Sequence, residues 1–343
     1  MLNHLRANLS LLVLTLVFCS VLYPLLLLAA GQTFFPDKAE GSLLWDRQGK
    51  PIGSQLIAQP FTGDEYFQPR PSAASYNAAA SGASNWGASN YRLRERVART
   101  LGPIVKYGSG PSKNQLVGPD IERWFQQDQY QDKPGIVAQW AQAHPSVAQD
   151  WVKTDKLNIE FVTSWQQSHS AEVTQWIKDN PSTPAEPKPE DLAVPFFVSF
   201  SASHPGRFPS AVEQKTADGK TEKRIEPVRE GTDIQGIFFD MWRQEHPHVE
   251  LVEVPADLVM ASGSGLDPHI TLKNALYQLD RVAAKWAKDT KQRETQVWRE
   301  IKDLLHEKAE APLGGLVGVS LVNVLEVNLV LRDRYGPLVG TGQ

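Results

Sequence analysis

LSLLVLTLVFCSVLYPLLLLAA, Leu9 to Ala30, is a run of 22 residues without a charged side chain. A helix rises about 1.5 Å per residue, so this run would be roughly 33 Å long, enough to cross a bilayer core of about 30 Å. Pro24 lies inside the run, and membrane helices tolerate proline better than soluble helices do. The run therefore predicts a transmembrane helix, placed at residues 9–31, with a folded body after it.

The charges flanking this run predict its orientation. Arg6 and the amino terminus precede it, and Lys38 is the first positive residue after it. Positive charge favours the cytoplasmic side, so residues 1–8 are expected in the cytoplasm and the body outside, anchored in the cell inner membrane. A cleaved signal peptide, with Ala29-Ala30-Gly31 as the cleavage site, is the alternative, but the run exceeds the usual signal core of about 7–15 residues.

The composition excludes several classes of protein. Of 343 residues, 41% are hydrophobic and 22% are charged, as in a folded chain. The formal net charge of −4 gives no general attraction to nucleic acid. Cys19 is the only cysteine, so neither an internal disulfide nor a cysteine-based zinc site can form.

The body begins with two strand-like pieces, residues 41–44 and 53–61, on either side of a turn. A run rich in proline, serine, asparagine and glycine follows at residues 68–90, a length typical of functional loops. It ends in SGASNWGASN, Ser81 to Asn90, where small turn-forming residues surround Trp86. Ser89 or Asn90 is expected to cap the next helix.

The middle of the chain contains an internal repeat. Residues 140–153 and 165–178 match at both tryptophans and at the histidine between them, with a period of 25 residues. Two tryptophans 11 residues apart predict one amphipathic helix per copy with both rings on one face. The repeat fits either a binding surface lined by tryptophan or helices that pack their tryptophans against a small core, and the sequence does not decide between these two interpretations. The charged stretch 213–230 is expected to be an exposed loop.

The second half of the chain again combines strand-like and helical patterns. A Gly/Ser turn at 262–265 precedes a long helix to residue 287, a second helix covers 290–308, and 321–331 is expected to be a central strand or a buried helix. We expect an α+β chain in which a mixed α/β extracytoplasmic domain carries a helical insertion. The expected segments are 1–8 cytoplasmic, 9–31 transmembrane, 32–105 first core part, 106–250 helical tryptophan-repeat insertion, 251–334 second core part, and 335–343 tail.

Catalytic motifs are weak in this sequence. It has no phosphate-binding loop, esterase elbow or zinc-protease histidine pair. The best acid–base candidate is Asp267-Pro268-His269 beside Ser262 and Ser264, and an anchored hydrolase would need Ser264, His269 and Asp267 to converge. A turn that precedes a helix capped by Thr271 or Asp267 explains the same residues. We therefore assign no catalytic and no metal-ligating residue.

Several motifs carry a family resemblance. They are, in order, YPLLL (Tyr23 to Leu27), FPDKAEGSLL (Phe35 to Leu44), GSQLIAQPF (Gly53 to Phe61), YFQPRPSAASYNAAASGASNWGASN (Tyr66 to Asn90), LVMASGSGLDPHI (Leu258 to Ile270) and VNVLEVNLVL (Val322 to Leu331). Over residues 8–105 and 251–334 the chain resembles the KdpC family of the Kdp potassium-transporting ATPase. The tryptophan-repeat insertion departs from the family's short form, and Ala78 and Ala83 stand where proline and glycine are expected.

The resemblance implies a non-catalytic, single-pass member of a complex that imports K⁺ at the expense of ATP. Its implied partners are a potassium-channel-like subunit (KdpA), a P-type ATPase subunit (KdpB) and a small hydrophobic subunit (KdpF). It implies that KdpC stabilises the assembly and raises the affinity of the ATPase subunit for ATP. With the body outside, such an effect has to be conformational, so ATP and K⁺ are expected to be handled by the complex.

The loop sequences then predict a contact with another member of the complex. Asparagine and serine offer neutral oxygen atoms, and Trp86 is suited to anchor an interface. An envelope scaffold acting through residues 120–180 is the remaining alternative. The candidate contact residues are Asn77, Ser81, Asn85, Trp86, Asn90, Ser262, Asp267, His269, Asn323 and Glu326.

Overall fold

The computed structural model describes residues 2–45, 48–181, 186–215 and 221–336. The strands are β1 (Leu43–Trp45), β2 (Pro51–Ser54), β3 (Gln129–Tyr130), β4 (Lys133–Pro134), β5 (Phe208–Lys215), β6 (Thr221–Val228), β7 (His269–Thr271) and β8 (Leu321–Asn323). The α-helices are α1 (Leu2–Val17), α2 (Tyr23–Phe34), α3 (Pro36–Ala39), α4 (Tyr91–Ile104), α5 (Gly118–Phe125), α6 (Ile136–Ala143), α7 (Pro145–Thr154), α8 (Lys156–Ser168), α9 (Ser170–Asp179), α10 (Ala193–Ser203), α11 (Thr232–Ile237), α12 (Phe239–Glu245), α13 (Ala256–Val259), α14 (Leu272–Thr290), α15 (Glu294–Lys308) and α16 (Val324–Tyr335).

The chain folds into two compact units. The first, Met1–Ser84 with Pro255–Gln343, is called the anchor unit here, and the second, Asn85–Val254, the helical unit. The predicted mixture of helix and strand is confirmed. The tail predicted at 335–343 falls outside the described residues from position 337 onward.

The apolar run forms one rod that joins α1 and α2 through a π-helical turn at Phe18–Leu22. Pro24 explains this turn, because proline has no N–H for the carbonyl one turn earlier and its ring crowds that turn. Within the described residues one helix, Asn3–Phe34, is long and apolar enough to cross a membrane, and its most apolar window has no buried residue.

The anchor unit packs α14, α15 and α16 around an aliphatic core. Their buried side chains include Val282, Ile301, Leu305 and Val327. Residues 321–331 combine both predicted alternatives, because β8 pairs antiparallel with β7 and leads directly into the buried helix α16. The expected first hairpin is present as β1 and β2, although its second strand is Pro51–Ser54 rather than 53–61.

The helical unit has an aromatic core. Trp140 is 1% exposed, and its ring centroid lies 5.1 Å from that of Phe197 and 5.5 Å from that of Phe208. Trp151 packs on the same two phenylalanines. In the first copy of the repeat, residues 140–153, both tryptophans therefore dock helices on a core, one of the two interpretations the sequence left open.

The predicted helix with two tryptophans on one face is wrong, because each copy of the repeat breaks between them. The backbone N–H of His144 donates to the carbonyl of Trp140 at 2.9 Å and its Nδ1 lies 3.1 Å from the same oxygen. Pro145 then starts α7 as a separate helix. The second copy breaks in the same way at His169, whose ring stacks on Trp165 at 4.9 Å.

The loop expected at 213–230 is wrong at 213–215 and 221–228, which are strand, whereas residues 216–220 of this prediction lie outside the described residues. Strands β5 and β6 form an antiparallel hairpin that pairs Phe208 with Val228 and Lys215 with Thr221. Residues 221–224 of β6 are exposed and residues 225–228 are partly buried, so this strand keeps its charged outer part in solvent. A high density of charge favours a loop, but a two-stranded ribbon can pair its backbone while the charged side chains stay hydrated.

Two glycines set the crossing of α4 and α11. A Cβ on Gly102 would overlap the carbonyl oxygen of Gln235, and one on Gly236 would lie 2.8 Å from the Cα of Arg99. We expect Gly102→Ala to destabilise the helical unit by about 1–3 kcal/mol, because both obstacles are backbone. Denaturant unfolding measures this change. Gly87→Ala is the matched control, since a Cβ there meets nothing within 4 Å; equal stability of both variants would contradict the close crossing.

Candidate docking site in the anchor unit

A buried amide network holds the start of the 68–90 loop. The backbone N–H of Phe67 donates to Oδ1 of Asn328 at 2.9 Å, and Nδ2 of Asn328 donates to the carbonyl of Phe67 at 2.8 Å. Gln278 makes the corresponding pair with the backbone of Gln68, at 2.8 and 3.1 Å. Asn328 is 1% and Gln278 5% exposed. Side chains on α14 and α16 thus replace a neighbouring strand.

Arg281 extends this network toward the surface. Its guanidinium donates to the carbonyls of Asp64 at 2.8 Å and Tyr66 at 3.0 Å, and to Oε1 of Gln278 at 2.9 Å. The segment that enters the loop is therefore fixed by hydrogen bonds from side chains rather than by regular secondary structure.

The loop itself is tied to residues 258–268. The Ser72 hydroxyl donates to the carbonyl of Gly265 at 2.6 Å, and the carbonyl of Ser264 accepts from Oγ of Ser81 at 3.1 Å and from the N–H of Gly82 at 2.8 Å. Gly265 has φ +70°, and a Cβ there would lie 2.7 Å from the carbonyl oxygen of Gly82. The predicted absence of helix and strand from 68–90 is confirmed within this stretch.

Asp267 and His269 form a pair at the rim of this loop. Oδ1 of Asp267 lies 3.3 Å from Nδ1 of His269 and accepts the backbone N–H of His269 at 3.0 Å. The side-chain hydrogen bond to Asp267 raises the pKa of His269, and the same bond lowers the pKa of Asp267. Arg70 adds a more distant contact, 3.5 Å from Oδ2 of Asp267.

This pair predicts a pH dependence of stability. The raised pKa of His269 stabilises the fold below about pH 6.5 and the lowered pKa of Asp267 does so above about pH 4, so the gain is largest between these values. We expect His269→Gln to cost about 0.5 kcal/mol near pH 5.5 and less near pH 8.5, since both groups are partly exposed. Denaturant unfolding at the two pH values tests this, with exposed His306→Gln as control. A cost that grows with pH would contradict it.

The described structure does not assemble the hydrolase triad. The Ser264 hydroxyl accepts the N–H of Leu266 at 3.1 Å, and no hydrogen bond joins it to His269 in the described part of the chain. Ser262 is 4% exposed and its N–H donates to the carbonyl of Pro71. Thr271 caps α14 by accepting the N–H of Asn274, as the turn interpretation predicts.

The remaining candidates of the anchor unit cap a helix, close a turn or join two segments of the chain. Oδ1 of Asn323 caps α16 by accepting the N–H of Glu326 at 3.3 Å, and Nδ2 of Asn323 donates to the carbonyl of Gln55 at 2.8 Å. Oδ1 of Asn77 accepts the N–H of Ala79 at 3.0 Å within its own turn. Ser81, Asp267, His269 and Asn323 thus lie on segments that hydrogen-bond to one another.

Asn85, Trp86 and Asn90 belong to the helical unit, because the unit boundary divides SGASNWGASN after Ser84. Asn90 caps α4 by accepting the N–H of Arg92 at 2.9 Å, which confirms one of the two predicted caps. Trp86 lies under the guanidinium of Arg96, 4.9 Å from the ring centroid. Asn85 is exposed at φ +50° and offers its amide to solvent.

The anchor unit also carries an exposed apolar loop between α15 and β8. Leu316 is 87%, Val317 60% and Val319 59% exposed. Contiguous apolar exposure of this kind marks contact surfaces in soluble parts of proteins. In the described residues no group of three or more histidine, cysteine, aspartate or glutamate side chains is placed to hold a metal ion.

The described sites can be compared with known proteins. Residues 5–120 and 228–333 match the family model described as "KdpC: K+-transporting ATPase, c chain". The chain belongs to the KdpC family. This confirms the resemblance seen in the motifs. The KdpC model leaves residues 121–227 unmatched; they lie within the insertion predicted at 106–250, whose bounds stay a prediction.

Relatives of this KdpC-family chain are named potassium-transporting ATPase KdpC subunits. That of Pseudomonas syringae pv. tomato is 49% identical over 107 residues, 31% of this chain and 56% of the relative. That of Pseudomonas aeruginosa is 53% identical over 108 residues, 32% and 58%. That of Methanosphaerula palustris is 44% identical over 103 residues, 30% and 55%. The chain thus spans rather more than half the length of these relatives.

Sequence reasoning missed two features that shape the site and the helical unit. Asn274 and Gln278 stand one turn apart among the apolar residues of α14, a spacing that could have revealed the amide network. Two further copies of the aromatic–histidine break occur at Phe200–His204 and Trp242–His246, with rings stacked at 4.6 and 4.7 Å. In each copy, two adjacent apolar residues stand three and four positions before the aromatic residue. The copies are unevenly spaced along the chain, so a search at a single period does not find them all.

Proposed function

We propose that this chain is the non-catalytic KdpC member of an ATP-driven, high-affinity potassium import complex. In this proposal it stabilises the assembly of a channel-like subunit (KdpA), a P-type ATPase subunit (KdpB) and a small hydrophobic subunit (KdpF), and promotes use of ATP by the ATPase subunit. The observation that carries the proposal is the family match on both sides of the insertion. The spanning helix supports it, because such an assembly lies in the membrane.

The geometry of the anchor unit suits a docking role. Only a short helix, α3, separates the spanning helix from the first hairpin, and the N–H of Ser42 donates back to the carbonyl of Asp37 at 2.7 Å. The hairpin and the elements bonded to it therefore lie close to the membrane surface. Leu316 and its apolar neighbours are exposed and available for a partner, and the Asp267–His269 loop is held by backbone hydrogen bonds.

A tagged pull-down of the full chain from gently solubilised membranes of potassium-starved cells tests the assembly. We expect a channel-like subunit and a P-type ATPase in fixed proportion, identified by mass spectrometry. Recovery of the chain alone, from membranes that contain the pump, would overturn the proposal.

The orientation is a separate prediction, with the body outside the cytoplasm. Cys19, the only native cysteine, lies in the spanning helix, so a cysteine introduced at exposed Glu307 gives a clean signal. We expect a membrane-impermeant maleimide to label Glu307→Cys in cells with a permeabilised outer membrane and an intact inner one. Labelling only after the inner membrane is broken would show that the body faces the cytoplasm. The unsubstituted chain measures the background labelling.

An envelope-scaffold function is the second candidate, because the helical unit has a core of its own. Deletion of residues 121–227 separates the two. We expect the shortened chain still to recover the pump subunits, since the family match lies outside the deletion. Loss of pump assembly on deletion would give the helical unit a part in the complex.

A further inference from the structure

Helix α10 carries apolar side chains on two faces. Its inner face is buried in the core of the helical unit, where Phe196 is 1% and Phe197 0% exposed. On its outer side Pro195, Val198 and Ala202 follow the spacing of one helical stripe, and Val198 is 36% exposed. A surface helix normally presents polar residues there, so the core of the unit does not account for this stripe.

Helix α9 borders the stripe and completes a cleft of about 700 Å³. Trp176 forms one wall and is only partly buried, and α9 as a whole has no buried residue. A volume of this size is typical of binding clefts. The stripe from Pro195 to Ala202 extends over about 10 Å along α10, long enough for several consecutive side chains of a ligand.

The charge of the cleft is negative. Glu172 and Asp179 line it from α9, on the same helical face as Trp176, and among the described residues its lining contains no lysine or arginine. No ion pair within the described residues engages Glu172 or Asp179, and Oδ1 of Asp179 accepts only a neutral amide, from Gln175 at 2.9 Å. An aromatic face beside carboxylates attracts a cation that has an apolar stem.

We propose that this cleft between α9 and α10, called the acidic groove here, binds a short basic peptide segment of a partner protein. Arginine or lysine of the segment lies against Trp176 and pairs with Glu172 and Asp179, while flanking apolar residues cover Val198. The length of the stripe favours a peptide over a single small amine. The proposal does not depend on the pump function, because it concerns the segment that the family model leaves unmatched.

The test uses the full chain in nanodiscs and a fluorescent peptide, Leu-Arg-Leu-Ala-Arg-Leu with blocked ends, followed by anisotropy. Glu172→Gln with Asp179→Asn keeps the shape of the groove and removes its charge, so we expect affinity to fall about tenfold or more. Glu160→Gln with Glu222→Gln makes the same change of net charge on exposed positions outside the groove and should leave affinity unchanged.

A second variant guards against misfolding as an explanation. Val198→Lys changes one exposed residue and places a cation in the groove, so it should abolish binding while the circular dichroism stays that of the unsubstituted chain. The proposal is overturned if the peptide does not bind, if the groove variants bind it as well as the unsubstituted chain, or if the peptide with glutamate for arginine binds equally. Full competition by spermidine at equal concentration would make the groove a small-amine site and overturn the peptide assignment.

Discussion

Asn328→Ala is expected to lower the free energy of unfolding of the anchor unit by about 2–4 kcal/mol. The substitution leaves both the N–H and the carbonyl of Phe67 without their partner in a buried position. Each unsatisfied buried backbone group costs about 1–3 kcal/mol, and water reaches neither easily. Since the same bonds position the entry to the 68–90 loop, recovery of pump subunits in the pull-down should fall as well.

Hydrogen exchange read by mass spectrometry measures this change unit by unit, which matters because two cores need not unfold together. Amides near Phe67 should lose protection, while those of the helical unit serve as the internal reference. Asn328→Asp is the matched variant: it keeps the acceptor for the N–H of Phe67 and sets an oxygen against the carbonyl, so acidification should restore part of its stability. Unchanged protection in Asn328→Ala would show that the amide network does not hold the loop.

Trp140→Ala is expected to destabilise the helical unit by about 3–5 kcal/mol, the usual cost of removing a large buried aromatic residue. The ring is 1% exposed and packs on Phe197, Phe208 and Phe238, the last at 6.0 Å between centroids. A domain is stable by only about 5–15 kcal/mol, so such a loss brings the unit close to unfolding.

Trp176→Ala is the matched control, because Trp176 belongs to the other copy of the repeat but is only partly buried. We expect a loss of about 1–2 kcal/mol there. Denaturant unfolding and exchange within residues 85–254 compare the two variants, and the anchor unit should keep its protection in both. If the two substitutions cost the same, the central role of Trp140 would be wrong.

The sequence predicted local signals best. The uncharged run at the amino terminus, the cap at Asn90 and the cap at Thr271 depend on neighbours in the chain, and the helix and both caps are present. The motifs of the KdpC family were recognised equally well from the sequence, because each lies in one continuous segment. Pairing of β7 with β8, by contrast, joins residues far apart in sequence, and periodicity left a strand and a helix equally open for 321–331.

For the candidate contact residues, the sequence indicates which residues are suited to a contact, and the folded chain shows which of them bond to one another. Residue chemistry indicates Ser81 and Asp267 in separate motifs, but only the folded chain shows that the loop around Ser81 bonds to the backbone of Ser264 and that Asp267 pairs with His269. Asn90 is both a predicted helix cap and a candidate contact residue, and its Oδ1 accepts the N–H of Arg92 at the start of α4. The amide network was missed altogether, since its partners at Phe67, Gln278 and Asn328 lie on three distant segments.

The spanning helix, the family and the principal caps follow from the sequence alone, because hydrophobic length, motif order and capping act within a few residues of one another. Where the repeat breaks and which faces are buried depend on the folded chain. A histidine that bonds the carbonyl of Trp140 ends a helix that amphipathic spacing alone would continue. Asn328 likewise acquires its role only when α16 brings it against the backbone of Phe67, because a buried hydrogen bond needs both partners in place.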